Sequence, residues 1–418
     1  MPFSDFGSRF RGNTGIASLM NDLATLPAIG EGELLCRLGG GNPAAIASVS
    51  ERFRKALLAL ASDATAFGRL YGVYASPQGH AGFIDALVSL LNTRLGWSVE
   101  AENIALTNGS QNAFFMLFNL LAGQSGNEVK RILLPVAPEY IGYADVSIGA
   151  PIFTARQPDI ELIGDKRFKY HLHAIDAIDS DIAAICLSRP TNPSGNVVID
   201  KELEALSALA DRNGIPLIVD NAYGAPFPDI IHVDTTLVWH PSMILCMSLS
   251  KIGLPAARTG IVIASREIIA ALSEMNAVTN LASNSVTAGM LAPLVASGEI
   301  LDIAHNEIRP WYADRVALAS RLFDEAFDGL PVRMHQPEGA IFLWIWFENL
   351  PGGCQALYEA LKARGVIVVA GHHFFPGLEG DWPHRRECLR VSIASSEEEL
   401  TTGLERMATL AREIYATA

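Results

Sequence analysis

A regular alternation of two kinds of segment constrains the fold of this chain more than any other feature. Short apolar runs bounded by turn residues recur between residues 103 and 264, and longer stretches such as 111–122 and 200–213 carry apolar residues at helical spacing. Strands that alternate with helices favour a mostly parallel sheet that lies between helices. We therefore predict an α/β fold with a seven-stranded sheet, its strands at 103–107, 131–135, 150–154, 183–188, 216–220, 243–248 and 260–264.

The length of the chain and a change of pattern predict two domains. A chain of 418 residues, half of them apolar, is too long for one simple core. After residue 298, a long helical stretch is followed by a strand, another helix and two more strands, which is typical of a smaller α+β domain. We expect an N-terminal arm and part of the small domain over 1–45, the large domain over 46–298, and the rest of the small domain over 299–418.

Charge and cysteine content narrow the class of protein. The net charge of −14 opposes binding to a phosphate backbone, so we expect no nucleic-acid partner. The apolar segments are broken by Gly, Pro or charge well short of a membrane span. Five cysteines without a C-x-x-C pair are typical of buried, reduced thiols rather than zinc ligands. We expect a cytoplasmic protein that needs neither a metal nor a membrane.

The segment CMSLSKIGLPAARTG (246–260) concentrates four groups with complementary chemistry. It ends a predicted strand with Ser248, Ser250 and Lys251, and supplies Arg258 seven residues later. Hydroxyls and a guanidinium suit a phosphate monoester, and an amine that can lose its proton suits an aldehyde. Taken alone, the segment also fits a solvated lysine at a strand end. Its S-x-x-K spacing fits a serine acyltransferase as well, but the chain lacks S-D-N and has its nearest K-T-G analogue only a few residues on.

Two other segments end apolar strands at the edge where open α/β sheets bind ligands. In VDNAYG (219–224), Asp220 has the chemistry to pair with a ring nitrogen, and Tyr223 can donate to a phenolate oxygen. In SRPTNPSGN (188–196), Asn192 can reach the same oxygen. The structural alternatives are a strand-terminal cap for Asp220 and simple turn chemistry for Asn-Pro-x-Gly.

Two motifs have both a cofactor interpretation and a structural one. In LTNGSQNAFF (106–115), Gly109, Ser110 and Gln111 lie where a strand gives way to a helix. That position is either a phosphate seat or an ordinary N-cap. In APEYIGY, Tyr140 is either a ring that stacks on a flat ligand or a core aromatic.

Two further motifs concern charge and close backbone approach. Arg390 lies in the apolar strand CLRVSIA and needs a partner, either a substrate carboxylate or an internal salt bridge. Gly39-x-Gly41-x-x-Ala44 matches a loose dinucleotide fingerprint, but Pro43 and the unpatterned residues before it argue against a first βαβ unit. We interpret this run as a close approach of backbone to a ligand.

In this order along the chain, these residues resemble the functional positions of fold-type-I pyridoxal-phosphate enzymes of the aspartate-aminotransferase class, over nearly the whole length. The resemblance implies an aminotransferase with pyridoxal 5′-phosphate as cofactor and Lys251 as Schiff-base lysine and proton shuttle. The cofactor contacts that it implies are Gly109, Ser110, Gln111, Tyr140, Asn192, Asp220, Tyr223, Ser248, Ser250, Lys251 and Arg258. The substrate contacts that it implies are Gly40, Gly41, Asn192 and Arg390.

The segments GGGNPA (39–44), APEYIGYAD (137–145) and PEGAIFLWIWF (337–347) resemble a bacterial subgroup of this class. This implies an apolar amino acid of the valine or alanine type and a 2-oxo acid, pyruvate or 2-oxoisovalerate, as substrates of a ping-pong reaction. It also implies a homodimer with shared active sites, in which Tyr74 reaches the partner's phosphate; Tyr71 lies close by in sequence.

Two alternatives stay open. One is another enzyme of the same fold, either an aminotransferase of different specificity or a lyase of the aminocyclopropane-carboxylate type. The other is a cofactor-sensing transcription regulator, against which the negative net charge argues.

Overall fold

The computed structural model describes residues 2–10, 15–25, 27, 30 and 32–417. A π-helical turn, Ala304–Ile308, joins the tenth and eleventh of its α-helices. In chain order, the helices of the described residues are α1 (Asp5–Ser8), α2 (Gly15–Ala24), α3 (Ala47–Ser62), α4 (Ala64–Gly72), α5 (Ala81–Leu95), α6 (Ser110–Leu121), α7 (Asp200–Asn213), α8 (Arg266–Asn280), α9 (Ser285–Ser297), α10 (Glu299–Ile303), α11 (Arg309–Ala326), α12 (Gly353–Ala363) and α13 (Glu397–Thr417).

Most of the strands belong to two sheets, and a separate pair joins the two ends of the chain. In chain order, the strands of the described residues are β1 (Cys36–Arg37), β2 (Ile104–Thr107), β3 (Gly123–Ser125), β4 (Glu128–Leu134), β5 (Phe153–Ala155), β6 (Asp159–Ile163), β7 (Arg167–His171), β8 (Ile182–Ser188), β9 (Leu217–Asp220), β10 (Met243–Ser248), β11 (Gly260–Ile263), β12 (Val332–His335), β13 (Phe342–Phe347), β14 (Val366–Ile367), β15 (Val369–Ala370) and β16 (Cys388–Ser392).

The first sheet has the strand order β2-β11-β10-β9-β8-β4-β3, with β5 also paired to β4. The pairs from β10 through β9 and β8 to β4 and β5 are parallel, whereas β11 is antiparallel to β10 and β2, and β3 to β4. Every residue of β2, β9, β10 and β11 is buried, because helices cover the sheet, and these strands therefore appear in the sequence as continuous apolar runs.

The prediction of a mostly parallel α/β sheet is confirmed, but the predicted number of seven strands is wrong. The sheet has eight strands in the described residues. The additional strand, β3, is a short, largely exposed Gly-Gln-Ser segment that forms a hairpin with β4. It carries no apolar run, so the sequence pattern did not reveal it.

The second sheet has the order β15-β16-β13-β12-β7-β6 and combines C-terminal strands with an internal hairpin. That hairpin, β6 and β7, lies inside the range predicted for the large domain, yet β7 runs parallel to β12. The reason is packing: Phe168 and Tyr170 of β7 are buried and their rings contact His335 of β12. The hairpin therefore belongs to the second sheet, although it lies within residues 46–298 of the chain. At the other end of the chain, β1 pairs with β14.

The helices of the described residues differ in length and hydropathy from a membrane span. None of them is, by itself, both long and apolar enough to cross a bilayer. The bent pair Ser285–Ser297 and Glu299–Ala326 reaches that threshold only when the two helices are taken together, by length and composition alone.

A buried ion pair fastens the second sheet to the first. Lys169 on β7 and Glu338, which follows β12, are each 7% exposed and form a salt bridge. The Lys169 ammonium also donates to Asn196 Oδ1 at 3.3 Å and to the Val197 carbonyl at 3.2 Å, while Glu338 Oε2 accepts the Val197 N–H at 2.9 Å. Asn196 and Val197 belong to the loop after β8, which also carries Asn192. The pair therefore holds this loop against the second sheet.

We expect Lys169→Met to lower the free energy of unfolding by about 3–5 kcal/mol, because it leaves the carboxylate of Glu338 buried without a cation. The measurement is urea denaturation of the purified protein, followed by fluorescence.

The matched control is Arg54→Met, which removes the cation from an exposed pair with Glu51. It should change the free energy of unfolding by no more than roughly 0.5 kcal/mol. Adding Glu338→Gln to Lys169→Met should restore much of the loss, since the neutral amide still accepts the Val197 N–H. Equal free energies of unfolding for the Lys169 and Arg54 variants would show that the buried pair of Lys169 and Glu338 does not stabilise the fold.

Candidate active site

Three adjacent strands of the first sheet end at one edge and carry polar residues there. The register pairs Ser188 of β8 with Asp220 of β9, and Asp220 with Cys246 of β10. Because parallel strands present their carboxyl ends at the same edge, the residues that follow them meet there. They enclose a cavity of about 120 Å³, whose lining residues are Ser110, Gln111, Tyr140, Ser188, Pro190, Asn192, Asp220, Ala222, Tyr223, Ser248, Ser250, Lys251 and Arg258.

Lys251 presents an amine to this cavity. Its Nζ donates to the carbonyl oxygen of Gly41 at 2.7 Å and lies 5.4 Å from the centre of the Tyr223 ring. Burial, with the nearby charge of Arg390 next in size, lowers the pKa of the Lys251 amine to about 8, although Asp220 opposes the change. Near pH 8 a large fraction of this amine is therefore neutral and able to react with a carbonyl carbon.

Asp220 is a buried carboxylate, 7% exposed, at the end of β9. The hydroxyl of Tyr143 donates to its Oδ2 at 2.7 Å and the N–H of Ala222 donates to its Oδ1 at 3.1 Å. Burial raises the pKa of Asp220 to about 6, even though both hydrogen bonds and Lys251 lower it. The carboxyl is thus mostly ionised at neutral pH and can pair with a protonated ring nitrogen.

Hydroxyl and guanidinium donors gather at the N-terminus of α6. Gly109 has φ of +87°, and a Cβ there would lie 2.2 Å from Nη2 of Arg258. Glycine therefore lets this guanidinium lie against the first turn of the helix, which begins at Ser110. Ser250 N–H donates to Ser248 Oγ at 3.1 Å in the adjoining loop. A helix N-terminus with hydroxyls and an arginine is a suitable seat for a phosphate.

Arg390 of β16 is 4% exposed and spans the gap between the two sheets. Its Nη1 donates to Asn192 Oδ1 at 2.9 Å and its Nη2 donates to the Gly39 carbonyl at 2.8 Å. The guanidinium carbon lies 4.2 Å from the ring centre of Phe342 and 5.2 Å from that of Phe374. Among the described residues it has no carboxylate partner, and its Nε has no acceptor. The structure therefore does not contain the internal salt bridge that was the alternative for Arg390.

The glycine run lies between the amine and the guanidinium. Gly39 and Gly41 accept from Arg390 and Lys251, respectively. Gly40 and Gly41 also line a second cavity, of about 490 Å³, together with Met20 and neighbouring residues of α2. Two carbonyls of the glycine run are thus hydrogen-bonded to the amine and to the guanidinium.

Tyr140 and Gln111 lie side by side in the cavity wall. Gln111 Nε2 donates to the Gly142 carbonyl at 2.7 Å, and its Oε1 has no partner among the described residues. A Cβ on Gly142 would lie 2.3 Å from the Tyr140 ring, so glycine is required for this arrangement. Both side chains therefore line the cavity.

Tyr74 is a predicted site residue that lies away from this cavity. Its side chain is 80% exposed and lines a separate surface groove of about 740 Å³ with residues of α3, α4 and α9. Tyr71 is 58% exposed and stacks on Phe67, with ring centres 4.4 Å apart. Neither tyrosine touches the phosphate seat of its own chain, so any such contact has to come from a second subunit.

Sequence reasoning missed two residues behind the cavity, Glu139 and Tyr143. Both are 0% exposed; Tyr143 bonds to Asp220, and Glu139 accepts the N–H of Ser188 at 2.8 Å. The segment APEYIGY held a signal for both, since it places a carboxyl and a second phenol beside Tyr140. Without the strand register, nothing in the sequence placed them next to Asp220 and Ser188.

The donor set of the cavity fits pyridoxal 5′-phosphate. An amine suits its aldehyde, a buried carboxylate suits its ring nitrogen, and the glycine at position 109 leaves the guanidinium of Arg258 free to meet a phosphate at α6. The unpaired Nε of Arg390 is consistent with a carboxylate ligand next to that group.

Comparison with known proteins places these features in a family. The family model for aminotransferases of class I and II matches residues 37–407. The valine–pyruvate aminotransferase of Escherichia coli K12 is 43% identical, over 98% of this chain and 97% of its own length.

Solved structures agree with this comparison. A valine–pyruvate aminotransferase from Salmonella typhimurium LT2 is 42% identical, with a TM-score of 0.88 over 97% of this chain and 100% of that chain. A protein from Psychrobacter arcticum 273-4, assigned as an amino-acid aminotransferase, is 45% identical, with a TM-score of 0.96 over 100% of both chains. The chain therefore belongs to the class I and II aminotransferases, which depend on pyridoxal phosphate.

Proposed function

We propose that this aminotransferase moves an amino group between an apolar amino acid, valine or alanine, and a 2-oxo acid such as pyruvate or 2-oxoisovalerate, in a ping-pong reaction. The observation that carries the proposal is the meeting of Lys251, Asp220 and Arg258 in one cavity, with Arg390 beside it. The identity of 43% with a valine–pyruvate aminotransferase, over nearly all of both chains, supports the choice of substrates.

In this proposal, different residues of the cavity bind different parts of the cofactor. Ser110, Ser248 and Arg258 bind the cofactor phosphate at the start of α6, with Gly109 and Ser250 in support. Asp220 pairs with the ring nitrogen and keeps it protonated, and Tyr143 holds Asp220 in place. Asn192 and Tyr223 donate to the phenolate oxygen, Tyr140 stacks on the ring face, and Gln111 contacts the cofactor from the first turn of α6. When bound, the cofactor supplies a protonated ring that withdraws electrons from the substrate Cα.

Arg390 orients the substrate. Its guanidinium group binds the substrate carboxylate, together with the Asn192 amide and the backbone of Gly40 and Gly41. This contact sets the direction of the Cα–H bond. The Asn192 oxygen already accepts from Arg390, which leaves its Nδ2 to donate to the ligand. Burial lowers the pKa of Arg390 to about 10, so the guanidinium stays charged at neutral pH.

Lys251 transfers the proton of the substrate Cα. With the cofactor and substrate bound, Nζ would be a free amine that takes the proton from the substrate Cα and delivers it to the cofactor carbon, and its pKa of about 8 suits such a base. Burial of the cavity limits the access of water to this proton. The same group carries the proton back when the 2-oxo acid is the acceptor.

Helix α2 favours an apolar substrate side chain, because its Met20, Leu23 and Ala24 line the same cavity as Gly40 and Gly41. Ile16 and Leu19 of α2 are half-buried and pack on the core, and Asp145 fixes the start of this helix by accepting the Gly15 N–H at 2.8 Å. We propose that Ile16 and Leu19 contribute to the side-chain pocket. The guanidinium groups of Arg258 and Arg390 are already used for phosphate and carboxylate in this scheme, so they are not available to an acidic side chain.

A homodimer completes the proposal. The groove that Tyr74 lines is apolar, with the exposed Val73, Leu57 and Leu58 in the same region. Surfaces of this kind are typical of subunit interfaces. We propose that Tyr74 of one subunit reaches the phosphate of the other.

We expect valine and alanine to be the preferred amino donors in the single half-reaction, and aspartate and phenylalanine to be poor. The measurement is the shift of the visible cofactor band, together with detection of the 2-oxo acid. Release of 2-oxo acid with the aminated cofactor separates a transaminase from a lyase. A shift with aspartate and none with valine would contradict the proposed specificity.

We expect Lys251→Ala to lose the visible absorption band that borohydride bleaches in the wild-type enzyme, because among the described residues that line the cavity no other has an amine that can bind the aldehyde covalently. The exposed Lys201→Ala on α7 is the matched control and should keep both the band and its sensitivity. A band that remains in the Lys251 variant and is still bleached would exclude this lysine.

We expect Arg390→Lys to lower kcat/KM for valine by roughly 10²–10³-fold, because a point charge cannot replace a two-pronged fork in a buried site. The same variant should bind pyridoxal phosphate nearly as the wild type does, since Arg390 is not a phosphate ligand. Steady-state kinetics and cofactor titration of the apoenzyme test the two statements. An equal loss for an amine without a carboxylate would show that Arg390 has a different role.

A further inference from the structure

Glu139 is a fully buried carboxyl beside the cavity that the proposed reaction leaves without a role. Its Oε1 accepts the Ser188 N–H at 2.8 Å, and its Oε2 forms a hydrogen bond with Ser188 Oγ. The Tyr140 N–H lies 3.3 Å from the same Oε2, and the Glu139 N–H donates to the Phe374 carbonyl at 2.8 Å. One side chain thus joins the turn that carries Tyr140 to the end of β8.

The same turn reaches the edge of the sheet at three points. Glu139 contacts Ser188, which lines the cavity at the end of β8. Tyr140 lines the cavity itself, and Tyr143 donates to Asp220 on the neighbouring strand β9. Because Tyr143 and Glu139 hold the two sides of the turn, the position of the Tyr140 ring between them depends on both.

The surroundings of Glu139 favour its neutral form. Burial, together with the charge of Asp220, raises the pKa of Glu139 to about 8, although the hydrogen bonds from Ser188 and Tyr140 act in the opposite direction. The other titratable groups that face it are Tyr143 on its own turn and Cys186 on β8, and the Glu139 charge raises the pKa of each. These neighbours carry no positive charge, so ionisation of Glu139 would place a second anion near Asp220.

We infer that Glu139 is a positioning residue, whose neutral carboxyl clamps the Tyr140 turn to the end of β8 and so holds the Tyr140 ring against the cofactor. In this form the carboxyl donates its proton to Ser188 Oγ while its other oxygen accepts the Ser188 N–H. The inference rests on the proposed cofactor site and adds to it a group that acts through Tyr140 without touching the cofactor.

Titration of the apoenzyme with pyridoxal phosphate tests this clamp without turnover. Glu139→Ala should raise the Kd by roughly tenfold, because it leaves the Ser188 N–H unpaired and releases the turn. It should also weaken the visible circular dichroism of the bound cofactor, which reports the asymmetric contact with the Tyr140 ring. Glu139→Gln should keep the Kd within about twofold of wild type, since an amide also donates to Ser188 Oγ and accepts its N–H.

The pH dependence gives a second, independent readout. The neutral carboxyl is present below its pKa of about 8 and is lost above it. The ratio of the wild-type Kd to the Glu139→Gln Kd should therefore rise as pH increases through about 8. Effects of Lys251 and the phosphate are common to both proteins and cancel in the ratio. A flat ratio would contradict a neutral clamp.

Two further variants keep the test valid if Glu139→Ala is unstable. Leu404→Ala truncates an equally buried side chain on α13, and should lower stability while leaving the Kd unchanged. Ser188→Ala removes one of the two hydrogen bonds and should give a Kd between those of wild type and Glu139→Ala.

Three results would overturn the inference. The first is a Glu139→Ala protein with the Kd and circular dichroism of the wild type. The second is a Glu139→Gln protein that binds the cofactor as weakly as Glu139→Ala does. The third is wild-type protein that binds no pyridoxal phosphate, which would overturn the proposed function together with the clamp that rests on it.

Discussion

The parallel register of β8, β9 and β10 is the constraint on which the rest of the site depends. It sets Ser188 beside Asp220, and Asp220 beside Cys246, at the edge where all three strands end. These strands are buried on both faces, so a slip by one residue would move every side chain to the opposite face and separate the polar ends. The segments that carry Asn192 and Lys251 leave from this edge, and they meet in one cavity because their strands do.

Charge balance in this cavity follows from the same burial. Burial lowers the pKa of the Lys251 amine to about 8 and raises that of Asp220 to about 6, so near neutral pH part of the amine is uncharged while the carboxyl stays mostly ionised. The charge of Arg390 contributes to the lowered pKa of Lys251, whereas that of Asp220 opposes it. A phosphate at Arg258 and a carboxylate at Arg390 would add the negative charge that two buried guanidinium groups require.

The substrate side of the site is shared between the two sheets. Arg390 comes from β16 of the second sheet, whereas Asn192, its partner at 2.9 Å, follows β8 of the first. The buried pair of Lys169 and Glu338 connects the same two parts, because Lys169 also donates to the loop that follows Asn192. The position of the Arg390 guanidinium relative to Asn192 thus depends on the packing of one sheet against the other.

Buried parallel strands show in a sequence as apolar runs, and each of the seven predicted runs overlaps a strand of the first sheet. The sequence by itself therefore determined the α/β architecture and the reactive groups at the strand ends, with Lys251 and Asp220 foremost. Only the tertiary structure decided that the hairpin β6–β7 joins the second sheet, that Tyr74 lies outside the cavity of its own chain, and that Glu139 contacts Ser188. The reason is physical: these outcomes depend on contacts between segments far apart in the chain, which local patterns of polarity do not encode.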